Sequence, residues 1–98
     1  MDKTKKIFEC VVSDIEGVEG SLHYYAIESE FSNEEFNSKV YGIRVENKFN
    51  GITKNYIEFI DVTSIYEEII NLIKLMAQNT VTPISVGDVV EDFVNRVV

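Results

Sequence analysis

Four stretches of this chain alternate Val, Ile, Tyr and Phe with polar residues, and the segments between them are too short for the chain to return in parallel. The stretches run from Lys6 to Ile15, Ser21 to Phe31, Lys39 to Lys48 and Ile52 to Val62, and their composition favours extended backbone. The separators are Glu16-Gly17-Val18-Glu19-Gly20, Ser32-Asn33-Glu34-Glu35 and Asn50-Gly51. A parallel return needs about a dozen residues or more, so sequence neighbours must be antiparallel neighbours in space. The expected sheet is a meander.

The third hairpin, VYGIRVENKFNGITKNYIEFI, allows register to be argued from chemistry. A two-residue Asn50-Gly51 turn would set Ile43 opposite Glu58. A three-residue loop with Gly51 left-handed sets Ile43 opposite Ile57, Tyr41 opposite Phe59 and Glu46 opposite Lys54. The second register is the expected one, because it pairs like with like and keeps Glu58 out of the core.

After Val62 the hydrophobic period changes from two to 3.6. Ser64 followed three positions later by Glu67 has the spacing of a capping box, and IYEEIINLIKLMAQ continues helically to a left-handed stop at Asn79. Thr82-Pro83 breaks the chain, and Ser85 with Asp88 restarts a helix. The fold class is therefore α+β: a four-stranded antiparallel meander with two C-terminal helices on one face, in a single domain over residues 1–98 whose first five residues fray. At 98 residues the chain is long enough for one core and too short for two.

The helices differ in amphipathicity. On the second, Val86, Val89, Val90, Phe93, Val94 and Val97 form one stripe, while Asp88, Glu91 and Asp92 share the opposite, solvated face, with Arg96 one turn from Asp92. Those acids are also a candidate docking face for a basic partner. On the first, Ile65, Tyr66, Ile69, Ile70, Leu72, Ile73, Leu75, Met76 and Ala77 cover more than half the circumference. One sheet face hides one stripe, so the remainder must be met by the second helix or by another molecule. Tyr66, Ile70, Ile73 and Ala77 are candidate interface residues on that ground. Tyr24 and Tyr25 join them, because adjacent strand residues point to opposite faces and one tyrosine is expected to lie away from the core.

Seventeen acidic against nine basic residues give a net charge of −8, which repels phosphate backbones and anionic membranes, so neither nucleic acid nor membrane is expected as a partner. The densest basic run, Lys3, Lys5 and Lys6, reads as a solubilising tail. A lone cysteine, Cys10, allows no internal disulfide and fits a reducing cytoplasm. No run approaches the roughly 20 apolar residues of a membrane span, and no secretory signal pattern is present.

Catalytic constellations are sparse. A Cys10 and His23 dyad is conceivable if the first two strands pair, but Cys10 alternates with Phe8 and Val12 in core-like company. His23 alternates with Tyr25 and Ile27, a position for a hydrogen-bonded ring at the end of an apolar face. Glu28 and Glu30 share a strand face that water can reach more readily than a substrate. Metal-ligand spacings are missing, and Gly17 and Gly20 sit in an acidic segment unlike a phosphate loop, so no cofactor is expected.

YYAIES in the second strand, YGIRVE in the third and NTVTPISVGDVVEDF at the end resemble a small domain-of-unknown-function family of Gram-positive, spore-forming bacteria. That resemblance implies a bacterial cytoplasmic setting and carries over no site residue. The functional expectation is a non-enzymatic interaction domain that self-associates or docks on a protein. The alternative is a small-molecule or sensory domain with a pocket between sheet and helices, lined by Tyr and Met.

Overall fold

In the computed structural model of the chain, which describes residues 3–14, 19–32 and 37–97, the strands are β1 Lys3–Ser13, β2 Ser21–Ser32, β3 Asn37–Phe49 and β4 Ile52–Thr63. Helices α1 Tyr66–Gln78 and α2 Pro83–Val97 follow. The strands form one sheet in the order β1-β2-β3-β4, each antiparallel to the next, which is the expected α+β meander. Strand β1 starts at Lys3, not Lys6, with Lys3 opposite Glu30 and Lys5 opposite Glu28, so the lysine run expected to fray is part of the ladder from Lys3 onward. Ile15 and Gly17 lie outside the described residues.

The third hairpin reaches its register by a different route from the expected one. Asn50 and Gly51 are both left-handed, at φ 54 and 77, and Phe49 faces Ile52 directly, so the turn has two residues and the three-residue loop is overturned. Lys54 is then an extra residue between the pairs Lys48–Thr53 and Asn47–Asn55. That bulge moves the register by one. Ile43 consequently meets Phe59, Val45 meets Ile57 and Glu58 meets Arg44. For Ile43 and Glu46 the expected and observed partners differ by two positions, and for Tyr41, which meets Thr63 and not Phe59, by four; in a period-two structure even shifts leave these side chains on the predicted face.

A second irregularity bends β4. Between the pairs Ile43–Phe59 and Tyr41–Thr63, three residues of β4 oppose Gly42 alone. A Cβ on Gly42 would collide with the carbonyl oxygens of Phe59 and Ile60, so glycine is what allows the β4 backbone to cross so closely. Ile27, the partner of Gly42 on β2, is 2% exposed although no helix lies on its side of the sheet, consistent with the β4 backbone passing over it.

Both helix starts differ from expectation, and each difference has a local cause. At α1 the cap position is Ile65, with no side-chain cap bond. Thr63 does that work: its Oγ1 accepts from Ile65 N at 3.2 Å and donates to Glu68 Oε1 at 2.7 Å, in place of the Ser64 and Glu67 pairing. The left-handed residue after α1 is Thr80, φ 48, not Asn79, φ −98. Val81 N donates to Met76 O and Thr80 N to Ala77 O, the paired bonds of a Schellman ending. Helix α2 begins at Pro83, two residues before Ser85, because proline's fixed φ and missing N–H suit the first helical position.

The core lies between the helices and one sheet face. Leu22, Tyr24 and Ala26 of β2 and Ile43 and Val45 of β3 are fully buried against Ile69, Ile73 and Met76 of α1 and Val86 of α2. Phe8, Cys10, Val12, Ile57 and Phe59 pack at its margin. Helix α1 lies chiefly over β2 and β1, and α2 over β4 and β3.

Candidate interaction surface

Alternation places Lys6, Glu9, His23, Tyr25, Arg44, Glu46, Tyr56 and Glu58 on the sheet face away from the helices, where they build a polar roof. Arg44 is its centre. Its Nε donates to Glu46 Oε1 at 3.0 Å, its Nη1 to Glu58 Oε2 at 3.0 Å, and its guanidinium lies 3.9 Å from the Tyr56 ring centroid. Burial disfavours charge on Arg44 and Glu46 alike, but their hydrogen bonds outweigh it. The guanidinium pKa ends above its ordinary value and the carboxyl below it, with Tyr25 and Lys48 also favouring the Glu46 anion. Glu46 Oε2 has no hydrogen bond of its own but lies 3.6 Å from Lys48 Nζ.

Tyr25 sits beneath this roof. Lys6 Nζ is 4.1 Å from its ring centroid, and burial, followed by the hydrogen bond and charge of Glu46 and by Glu9, pushes its hydroxyl pKa well up. With 4% exposure Tyr25 is covered by its own chain, and Tyr24 on the opposite face is at 0%. The expectation that one of the pair lies open to a partner is therefore corrected: long charged side chains cover the helix-free face.

The other candidates for chemistry fall apart or find structural partners. Cys10 stands opposite Tyr24 on the helix side, whereas His23 stands opposite Val11 on the other side, so the sheet itself separates the conceivable dyad. His23 Nε2 is 2.8 Å from Ser21 Oγ, and its ring stacks at 6.3 Å on Tyr25. Glu28 lies between Lys5 at 3.3 Å and Lys39 at 3.8 Å, beside a polar hollow of about 400 Å³ that Glu30 and Thr4 also line. Among the described residues no group of three or more His, Cys, Asp or Glu side chains is placed to hold a metal ion.

Neither sheet edge invites another strand. Edge strand β1 carries Lys5 and Lys6 and a bulge at Ile7. Edge strand β4 is broken by the Lys54 bulge and by the bend opposite Gly42. Charges and bulges are what keep edges from templating foreign strands.

The helical layer is different. No Cα atom of α1 lies within 8 Å of one on α2 among the described residues, so the helices stand apart on the sheet. Between them runs a largely apolar cleft of about 240 Å³, lined by Glu68, Asn71, Leu72 and Leu75 of α1 and Phe93 of α2. Leu75 is 49% exposed beside it. Of the residues expected at an interface, Ile70, Ile73 and Ala77 are buried within the chain, and only Tyr66 remains open, at 47%, with its ring edge-on to Tyr41 at 5.7 Å. The excess apolar arc of α1 is thus largely hidden by the sheet, and what stays wet is Ile65, Tyr66 and Leu75. Asp88, Glu91 and Asp92 are exposed as expected, while the side chains of Arg96 and of Val97 in the stripe are outside what the structure describes.

Leu75 and Phe93 were both visible in the sequence as members of apolar stripes. The gap between their helices was not, because separation depends on where each helix seats on the sheet.

A four-stranded meander under two separated helices, with its helix-free face largely roofed by charged side chains and its edges interrupted, defines a small α+β domain with an apolar cleft on the helical side. The chain belongs to the Family of unknown function (DUF6514), whose model matches residues 3–96. No curated protein and no solved structure matches the chain. No helix among the described residues is long and apolar enough to cross a membrane.

Proposed function

We propose that this chain is a non-enzymatic protein-interaction domain that works in a bacterial cytoplasm and docks through its helical layer, at the cleft between α1 and α2. The observation that carries this reading is Leu75, 49% exposed on the rim of an apolar cleft that its own chain leaves unfilled. Apolar surface left wet forfeits roughly 25 cal/mol per Å², so covering this cleft is favourable. The alternatives on the same molecule are weaker, since charged side chains cover much of the open sheet face, leaving Val11 and Tyr56 exposed singly, and bulges interrupt both edges.

A small-molecule pocket between sheet and helices finds less support. Tyr and Met are the residue types expected to line such a pocket, but Tyr24 and Met76, which lie in that layer, are at 0% exposure and fill it. The cleft's 240 Å³ falls below the ~300–1,000 Å³ of pockets that enclose a ligand, and suits an inserted side chain.

Sedimentation velocity over a wide concentration range, combined with affinity capture, tests the reading. Association, with itself or with another protein, is expected to persist in Tyr56→Ala and to disappear in Leu75→Glu. A strict monomer that captures nothing overturns it. A thermal-shift screen against metabolites that raises Tm through the cleft would replace it with the ligand reading.

A further inference from the structure

We infer that the occupant of the α1–α2 cleft is a basic amphipathic helix of another protein, an inference that rests on the docking reading above and names its partner. Two features of the surface point the same way. The lining is largely apolar, with Leu72, Leu75 and Phe93, which suits an apolar anchor of a helix laid across it. The two helices that bound the cleft are acidic in balance. Glu68 lines the cleft, Glu67 is exposed on the same helix, and Asp88, Glu91 and Asp92 are exposed on α2, against Lys74 as the exposed base of α1. A partner carrying Lys or Arg beside its apolar anchors meets opposite charge on both helices, and a partner carrying acids meets repulsion.

The same bookkeeping of charge argues against a second copy of this chain. Two helical layers brought face to face would oppose acids to acids on a molecule whose net charge is −8. On the helices themselves only Lys74 and Arg96 are basic, against Glu67, Glu68, Asp88, Glu91 and Asp92, and the chain's other ion-paired cations sit elsewhere. Lys5 pairs with Glu28, Lys6 lies on Tyr25, Arg44 is held by Glu46 and Glu58, and Lys48 approaches Glu46, all of them on the sheet. An incoming helix brings its cations with its apolar face. The acidic face of α2 thereby gains a role in steering a basic partner toward the helical layer.

The test uses the full chain and two labelled synthetic helices of about 14 residues, roughly four turns, with Leu at i, i+3, i+4 and i+7. One carries Lys at the remaining positions and the other Glu. Anisotropy should show binding of the Leu/Lys peptide alone, and amide shifts should cluster around Leu72, Leu75 and Phe93. The affinity should weaken as salt shortens the Debye length from about 30 Å at 0.01 M to about 8 Å at 0.15 M. Leu75→Glu should weaken it by about tenfold or more, the scale of a lost anchor. Simultaneous charge reversal at Asp88 and Glu91, both exposed on α2, should weaken it independently.

Three results overturn the inference: no binding of the Leu/Lys peptide, equal binding of both peptides, or undiminished binding to Leu75→Glu, which would mark bulk charge attraction. Self-association abolished by Leu75→Glu without any peptide binding overturns the basic helix while leaving the interaction domain standing.

Discussion

The hydroxyl of Tyr24, in the middle of β2, donates a 2.8 Å hydrogen bond to the carbonyl of Val81, 57 residues later in the link between the helices. Val81 also donates its own N–H to Met76 O at the end of α1, so the link is fastened to both the sheet and the helix before it. This bond holds the point from which α2 departs, and therefore helps to set the width of the cleft.

Replacing Tyr24 with Phe keeps the ring and removes the donor. The expected loss is about 1 kcal/mol, measured as a lower urea midpoint with unchanged slope. Burial, with a smaller contribution from Cys10, lifts the Tyr24 hydroxyl to about 12 from an ordinary 10.0. A pKa raised on folding means stability that is complete below pH 10.0 and is lost as pH climbs toward about 12. Tyr24→Phe should lose less stability than the native chain across that window.

The sign is opposite at Glu46. Its carboxyl is held below the ordinary 4.5 despite burial, by Arg44, Tyr25 and Lys48. Its contribution is complete above pH 4.5 and is lost as pH falls through the lower folded value. Glu46→Gln should be less stable than the native chain at neutral pH, and the two unfolding midpoints should converge on acidification. A gap that stays constant through acid pH would show that the anion is not what the roof requires.

Gly42→Ala should be among the most damaging single-methyl changes in the molecule, because the obstacle is the backbone of β4 and not a side chain that can swing aside. Overpacking of this kind costs roughly 1–3 kcal/mol. Amide exchange should accelerate most in β4 from Phe59 to Thr63, the part held beside Gly42.

Thr80→Gly runs the other way. A β-branched residue at φ 48 is strained, and glycine at the position after a helix relieves about 1 kcal/mol. The hydroxyl bond from Thr80 to Asn79 O is local and exposed, so its loss subtracts little. A Tm below that of the native chain would contradict this account.

The strands and their faces were legible because a two-residue period and short separators allow few arrangements. The meander order followed from them, and the burial of Ile43, Val45 and Val86 followed from alternation and helical stripe. The bulge at Lys54 was not legible: it arises from reconciling a tight Asn50-Gly51 turn with Glu58 against Arg44, and no residue type announces it. The helix caps were misread by a residue or two, since Ser64 and Thr63 are equally good chemistry and only geometry chooses between them. Tyr25 lies on the face away from the core, as expected, but its cover was missed for a subtler reason. Residue patterns count what is apolar, and they do not show that Lys6 and Arg44 can serve as cover.

The order β1-β2-β3-β4 has a consequence during synthesis. Each strand finds its mate in the residue stretch just made, so the hairpins can zip in succession with little chain to search. The partners that enclose Leu22, Ile43 and Val45 arrive only with α1 and α2, so a nascent chain that has reached Thr63 holds a finished sheet with one greasy side bare. That interval is when the molecule is most exposed to sticking, and it closes when α1 and α2 clear the ribosome.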